Sequence, residues 1–178
     1  MLPRLWLMTD DTRGDAEAAI GRLPPGSAVI FRHYAARNRE VLGAHLHEIA
    51  RAHAVLFLVA GDPRLAARLN ADGFHAPEAL ASRIPLARRL LPRGLVTMAA
   101  HGADALATAR QMKPDALIVS PVFPTSSHPG APTLGPVRFA ALVQQAPVPV
   151  IALGGMTAKT IGRLKCSGAK GFAGLSLV

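Results

Sequence analysis

The chain has 178 residues, half of them apolar, enough to bury one substantial core as a single domain over residues 1–178. Its net charge of +9 and pI near 11.2 suit an anionic ligand, but aromatics make up only 4% of the chain. Sixteen of the twenty positive charges are arginines scattered in ones and twos, so a nucleic-acid partner is not expected. The lone Cys166 excludes an intrachain disulfide. The opening MLPRLWLMTDDTRGD is too short an apolar run for a secretory leader, and no run approaches the roughly 20 apolar residues of a membrane span. These features predict a soluble, cytoplasmic protein.

In chain order, the apolar runs are RLWLM (4–8), AVIF (28–31), AVLFLV (54–59), DGFH (72–75), GLVTM (94–98), ALIVS (116–120), VPVIAL (148–153) and GFAGLSLV (171–178). Helical candidates between them include 38–53, 63–71, 101–112, 135–146 and 157–168. Near-continuous apolar strands alternating with amphipathic helices indicate a parallel sheet covered by helices. Eight strand candidates point to a compact TIM (β/α)8 barrel of the α/β class. An open Rossmann sheet is the alternative, but no GxGxxG follows the first strand. The sequence stops at the eighth strand candidate, so the barrel is expected to lack its last helix, and a homodimer is expected to cover the apolar surface left there.

Reactive groups of such barrels gather in the loops that follow the strands. After the seventh candidate comes ALGGMTAKT, where Gly154 and Gly155 let backbone N–H groups approach an anion. Thr157 then reads as a helix N-cap. Leu175 and Ser176 offer further donors after the eighth strand. The sixth strand runs into SPVFPTSSHPGAP, where Thr125, Ser126, Ser127 and His128 present donors on a frame stiffened by four prolines. Together these segments read as a phosphate cradle, with the glycine pair as a plain turn between strand and helix the equal alternative.

SPVFPTSSHPGAP, VPVIALGGM, ADGFH and the GFAGLS ending resemble the thiamine-phosphate synthase/TenI family, in order and over nearly the whole chain. The resemblance implies a TIM barrel that binds a thiazole phosphate near strands six to eight. The synthase couples that thiazole to an aminopyrimidine diphosphate, using Mg²⁺ and expelling pyrophosphate. On the thiazole side, Thr125-Ser126-Ser127 stands where the family has Thr-x-Thr, Gly154-Gly155 matches its double glycine, and Leu175-Ser176 matches its phosphate contacts. The pyrimidine side departs from the pattern. The family's Gln-x-Arg-x-Lys reads Ile30, Arg32 and Tyr34, its Asn-Asp pair falls on Ala60-Gly61, and its strand-five serine on Ala99. The lysine closing the Thr-x-Thr-Lys motif is His128 here.

Arg32 and His128 are therefore the expected diphosphate-handling, catalytic residues, with Arg32 also able to pair with Asp10 or Asp62. Asp62, one place late, and Glu78 are the candidate Mg²⁺ ligands, with helix-start acids the equal alternative for both. A TenI-like thiazole tautomerase is the alternative. Its strand-six histidine is replaced by Pro121, so a proton-transferring histidine would have to come from His33, His75, His101 or His128. A non-catalytic phosphate-ligand binder is the third reading.

Overall fold

The computed structural model describes residues 1–12, 14–125 and 130–174. Eight parallel strands close into a barrel in chain order. They are β1 (Leu5–Met8), β2 (Ala28–Phe31), β3 (Leu56–Ala60), β4 (Gly73–Ala76), β5 (Leu95–Ala100), β6 (Ala116–Val119), β7 (Val150–Leu153) and β8 (Gly171–Gly174). Closure is made by β8 against β1, with Leu5 opposite Phe172 and Leu7 opposite Gly174. Among the described residues no helix is long and apolar enough to cross a membrane.

Period-two alternation sorts the side chains. Trp6, Met8, Ala28, Ile30, Leu58, Ala60, Ala116, Ile118, Ile151 and Ala173 form one buried cluster that fills the barrel. Their strand neighbours Leu7, Val29, Phe31, Phe57 and Val59 instead pack outward on Ile20, Leu46, Ala50 and Leu65 of the surrounding helices. By the same parity Phe74, Val96 and Met98 face the helices. His75, Thr97 and Ala99 are thereby turned inward.

The helices are α1 (Ala16–Gly21), α2 (Arg39–Ala52), α3 (Pro63–Arg68), α4 (Ile84–Leu90), α5 (Asp104–Met112), α6 (Gly135–Gln145) and α7 (Ala158–Gly162), with a 3₁₀ segment Glu78–Arg83 before α4. The sequence candidates named for α2, α3, α5, α6 and α7 all contain their helices, but the boundaries move for local reasons. The third strand starts at Leu56 rather than residue 54, because Ala54 takes φ +53° and Val55 N–H still donates to Ala50 at the end of α2. α3 stops at Arg68, where Leu69 caps it and Asn70 turns to φ +49°. The helix α1 is short, capped by Asp15, whose carboxylate accepts from the Glu17 and Ala18 N–H groups.

At the N-terminal end of the barrel two aspartates latch neighbouring strands. Asp72, just before β4, accepts the Phe57 N–H of β3 at 2.8 Å. Asp115, just before β6, accepts the Val96 N–H of β5 at 2.7 Å and is gripped by both terminal nitrogens of Arg88 at 2.9 and 3.0 Å. The ADG of ADGFH is thus a barrel-closing device: a Cβ at Gly73 would run into the Leu95 carbonyl.

Candidate active site

A cavity of about 1120 Å³ opens at the C-terminal mouth of the barrel. Its walls come from the residues that follow β1, β2, β4, β5, β6 and β7, and from Gly174 of β8. Inward-facing Met8, Ile118 and Leu153 form part of its lining.

On the β1–β2 side, Arg32 is held in place by three contacts. Its Nε donates to the Thr9 carbonyl at 2.9 Å, its Nη2 pairs with Asp10 Oδ2 at 3.0 Å, and its backbone N–H donates to Thr9 Oγ1. Asp10 is shaped in turn by Thr12, whose backbone N–H and hydroxyl both donate to Oδ1. Nη1 of Arg32 makes no hydrogen bond among the described residues, so one end of the fork remains for a ligand. The Asp10 partner foreseen for Arg32 is therefore present. Asp62 instead caps α3, accepting the Arg64 and Leu65 N–H groups, and lies off the cavity wall.

On the β4–β5 side, His75 is buried and its Nδ1 lies 2.9 Å from Thr97 Oγ1. Burial, with Arg32 and His101 adding repulsion, brings its pKa down to about 3, so it is neutral at physiological pH. Glu78 Oε2 accepts both the backbone N–H and Nδ1–H of His101, at 2.8 and 2.7 Å. Both residues line the cavity. His33 lies off the wall, stacked on Phe31 with Nδ1 3.0 Å from Thr9 Oγ1, and burial lowers its pKa.

The β6 loop and the turn after β7 form the third wall. Val122 N–H donates to the Leu153 carbonyl and Phe123 N–H to the Gly154 carbonyl, so the loop is sewn to the turn. Further on, the Leu134 and Gly135 N–H groups return to the Pro121 and Val122 carbonyls and close the loop on itself. Gly154 and Gly155 take φ +98° and +63°. A Cβ at Gly154 would sit 2.9 Å from Pro121 Cα, and one at Gly155 would strike the Pro124 carbonyl. Glycine is required twice over, by conformation and by space. Thr157 caps α7 in a reciprocal capping box with Thr160. Thr125, Gly154, Gly155 and Thr157 share the wall. Ser126, Ser127, His128, Leu175 and Ser176, named from the sequence, lie outside the described residues.

The Mg²⁺ ligands foreseen from the sequence do not assemble. Asp62 is spent on a helix cap, and the Glu78 oxygen nearest His101 already takes two hydrogen bonds. Among the described residues no three His, Cys, Asp or Glu side chains gather as a metal site. The carboxylates that do reach the mouth are Asp10, Asp11 and Glu78, and Asp10 is neutralised by Arg32. Of the two foreseen Mg²⁺ ligands, Glu78 lines the cavity and Asp62 does not. Asp11 and Thr12 were not singled out from the sequence; TDDT directly after a barrel strand is the signal that marks them.

The profile of the thiamine monophosphate synthase family, TMP-TENI, matches residues 8–178. The thiamine-phosphate synthase of Methanoculleus marisnigri is 31% identical over 98% of this chain and 86% of its own. That of Limosilactobacillus fermentum is 31% identical over 77% of this chain, an aligned stretch spanning 65% of the relative. Among solved structures, the thiamine phosphate pyrophosphorylase of Pyrococcus furiosus superposes with a TM-score of 0.80 at 23% identity, covering 96% of this chain and 84% of that one. A closed eight-stranded parallel barrel with its cavity at the C-terminal mouth defines the class. Within it, the chain belongs to the thiamine monophosphate synthase family.

Proposed function

We propose that this protein is a thiamine-phosphate synthase that joins a thiazole phosphate to an aminopyrimidine diphosphate and releases pyrophosphate. The observation that carries the reading is one cavity lined both by Arg32 and by Thr125 with the glycine turn after β7. Gly154, Gly155, Thr157 and Thr125 line one wall, where backbone N–H groups and hydroxyls can donate to a phosphate. On another wall stands Arg32, whose Nη1 makes no hydrogen bond among the described residues. A departing diphosphate must be stabilised as its charge develops, and fixed donors perform this best because they need not reorganise. In this reading Arg32 and His128 act on the diphosphate, Ser126, Ser127, Leu175 and Ser176 complete the thiazole-phosphate contacts, and the protein works in the cytoplasm.

A TenI-like tautomerase is the second reading. The Glu78–His101 pair favours it, because a carboxylate that accepts Nδ1–H orients the imidazole and leaves Nε2 for proton transfer. Calorimetry separates the two. The synthase reading expects both thiazole phosphate and aminopyrimidine diphosphate to bind and product to form. Arg32→Ala should then lower turnover on the order of 100-fold, as for loss of one transition-state donor. Binding of the thiazole alone, with Arg32→Ala unchanged, would leave the tautomerase.

A further inference from the structure

Tyr34 is the only tyrosine in the chain, and 53% of its surface is exposed. In a protein that buries five of its six phenylalanines, this open ring stands out. It is nonetheless held in place. Arg39, the first residue of α2, sets its guanidinium carbon 5.1 Å from the Tyr34 ring centroid and 5.3 Å from that of Phe31. Nη2 of Arg39 donates to the Ala60 carbonyl at 2.7 Å, which ties the brace to the end of β3. Among the described residues the buried Arg39 Nε has no hydrogen-bond partner, a cost accepted where contact with two aromatic rings holds the guanidinium.

Gly61 gives the ring its seat. It takes φ +78°, and a Cβ there would approach Tyr34 Cε1 to 3.2 Å. The ring and Arg32 line the same cavity and stand two residues apart beyond the same strand. Although half its surface is open, the surrounding walls desolvate the hydroxyl and raise its pKa, so the ring presents a neutral phenol. Where the family resemblance places a lysine, this chain offers a flat, electron-rich face in place of a positive charge.

We infer that Tyr34, braced by Arg39, is a stacking platform for a planar heteroaromatic substrate ring, the pyrimidine, whose diphosphate lies on Arg32. The inference rests on the two-substrate reading above. An amino-substituted heterocycle gains contact area and favourable ring electrostatics on a phenol face, whereas an inorganic anion gains neither.

The test compares wild type, Tyr34→Ala and Tyr34→Phe by calorimetry with three probes: aminopyrimidine diphosphate, inorganic pyrophosphate and thiazole phosphate. Tyr34→Ala is expected to weaken the aminopyrimidine diphosphate roughly tenfold or more, the range for loss of one stacked ring. Tyr34→Phe should stay within about threefold, because the aromatic face is retained. Pyrophosphate and thiazole phosphate should bind all three proteins alike, which also shows that the variants are folded. Equal loss of pyrophosphate in Tyr34→Ala, or unchanged pyrimidine binding, would overturn the inference and leave the synthase reading standing. If wild type bound thiazole phosphate but no pyrimidine, the inference would fall and the tautomerase would remain. If it bound neither, both the inference and the proposed function would fall.

Discussion

His75 shows how a single side chain links the site to acid stability. An imidazole turned into a barrel interior loses hydration that Thr97 Oγ1 alone does not restore, so the neutral form is favoured. The folded protein binds this proton with a pKa of about 3, while the unfolded chain binds it near the ordinary imidazole value of 6.5. Between those two values protons favour the unfolded state, so the contribution of His75 is complete above about pH 6.5 and is lost as pH falls. The slope is at most about 1.4 kcal/mol per pH unit for one group. Urea unfolding of wild type and His75→Gln at pH 7.0 and 4.5 checks this. The variant should lose less stability over the interval, and equal losses would show that His75 is not the titrating group. The sequence placed His75 near a strand end but did not distinguish it from His33 and His101. Only the parity of β4, set by Phe74 and Ala76 facing the helices, turns it inward.

At the scale of elements, the barrel is held at its N-terminal end by carboxylates that stand just before even-numbered strands and bond to odd-numbered ones. Removing Asp115 orphans the Val96 N–H and both Arg88 contacts at once. Asp115→Ala should therefore cost about 2 kcal/mol, the order expected for unpaired, partly buried donors. Glu48→Ala breaks only the exposed Arg51 pair within α2 and should change stability by less than about 0.5 kcal/mol. Chemical denaturation of both variants gives the comparison, and near-equal losses would mean the latch adds nothing to an ordinary surface pair. These roles are poorly legible from sequence, because Asp72 and Asp115 look like ordinary turn residues. The helices were easier where amphipathic repeats were long, as in α2, α5 and α6. The six residues of α1 and the 3₁₀ segment leading into α4 are too short to carry such a repeat.

At the scale of the molecule, the barrel was legible because its strands are buried on both faces, so they read as near-continuous apolar runs separated by helical segments. The glycine pair after β7 read equally as a cradle or as a plain turn, and both glycines prove to be required by φ and by contact with the β6 loop. For Asp62 and Glu78 the sequence left metal ligand and helix-start acid equally open. Acid residues near strand ends serve equally well as caps, and Asp62 does so. Closure also makes the core a shared element. Trp6, fully buried within the barrel with its Nε1–H on the Pro3 carbonyl, belongs to one interior cluster with residues of β2, β3, β6, β7 and β8. Trp6→Ala should cost about 3–5 kcal/mol, in the range for deletion of a large buried aromatic. The loss should appear in one cooperative unfolding transition followed by circular dichroism; separate transitions would contradict a common core.

The contact of Gly154 and Gly155 with Pro121, Phe123 and Pro124 has a bearing on how the protein can change. The turn after β7 has no side chains because the β6 loop lies against it, and the loop keeps its path because two of its first N–H groups end on Leu153 and Gly154. Neither segment can drift alone. A new ligand preference must be acquired by replacing both together, as one cassette, and a library that randomises the loop while freezing the turn will mostly yield barrels with a damaged mouth.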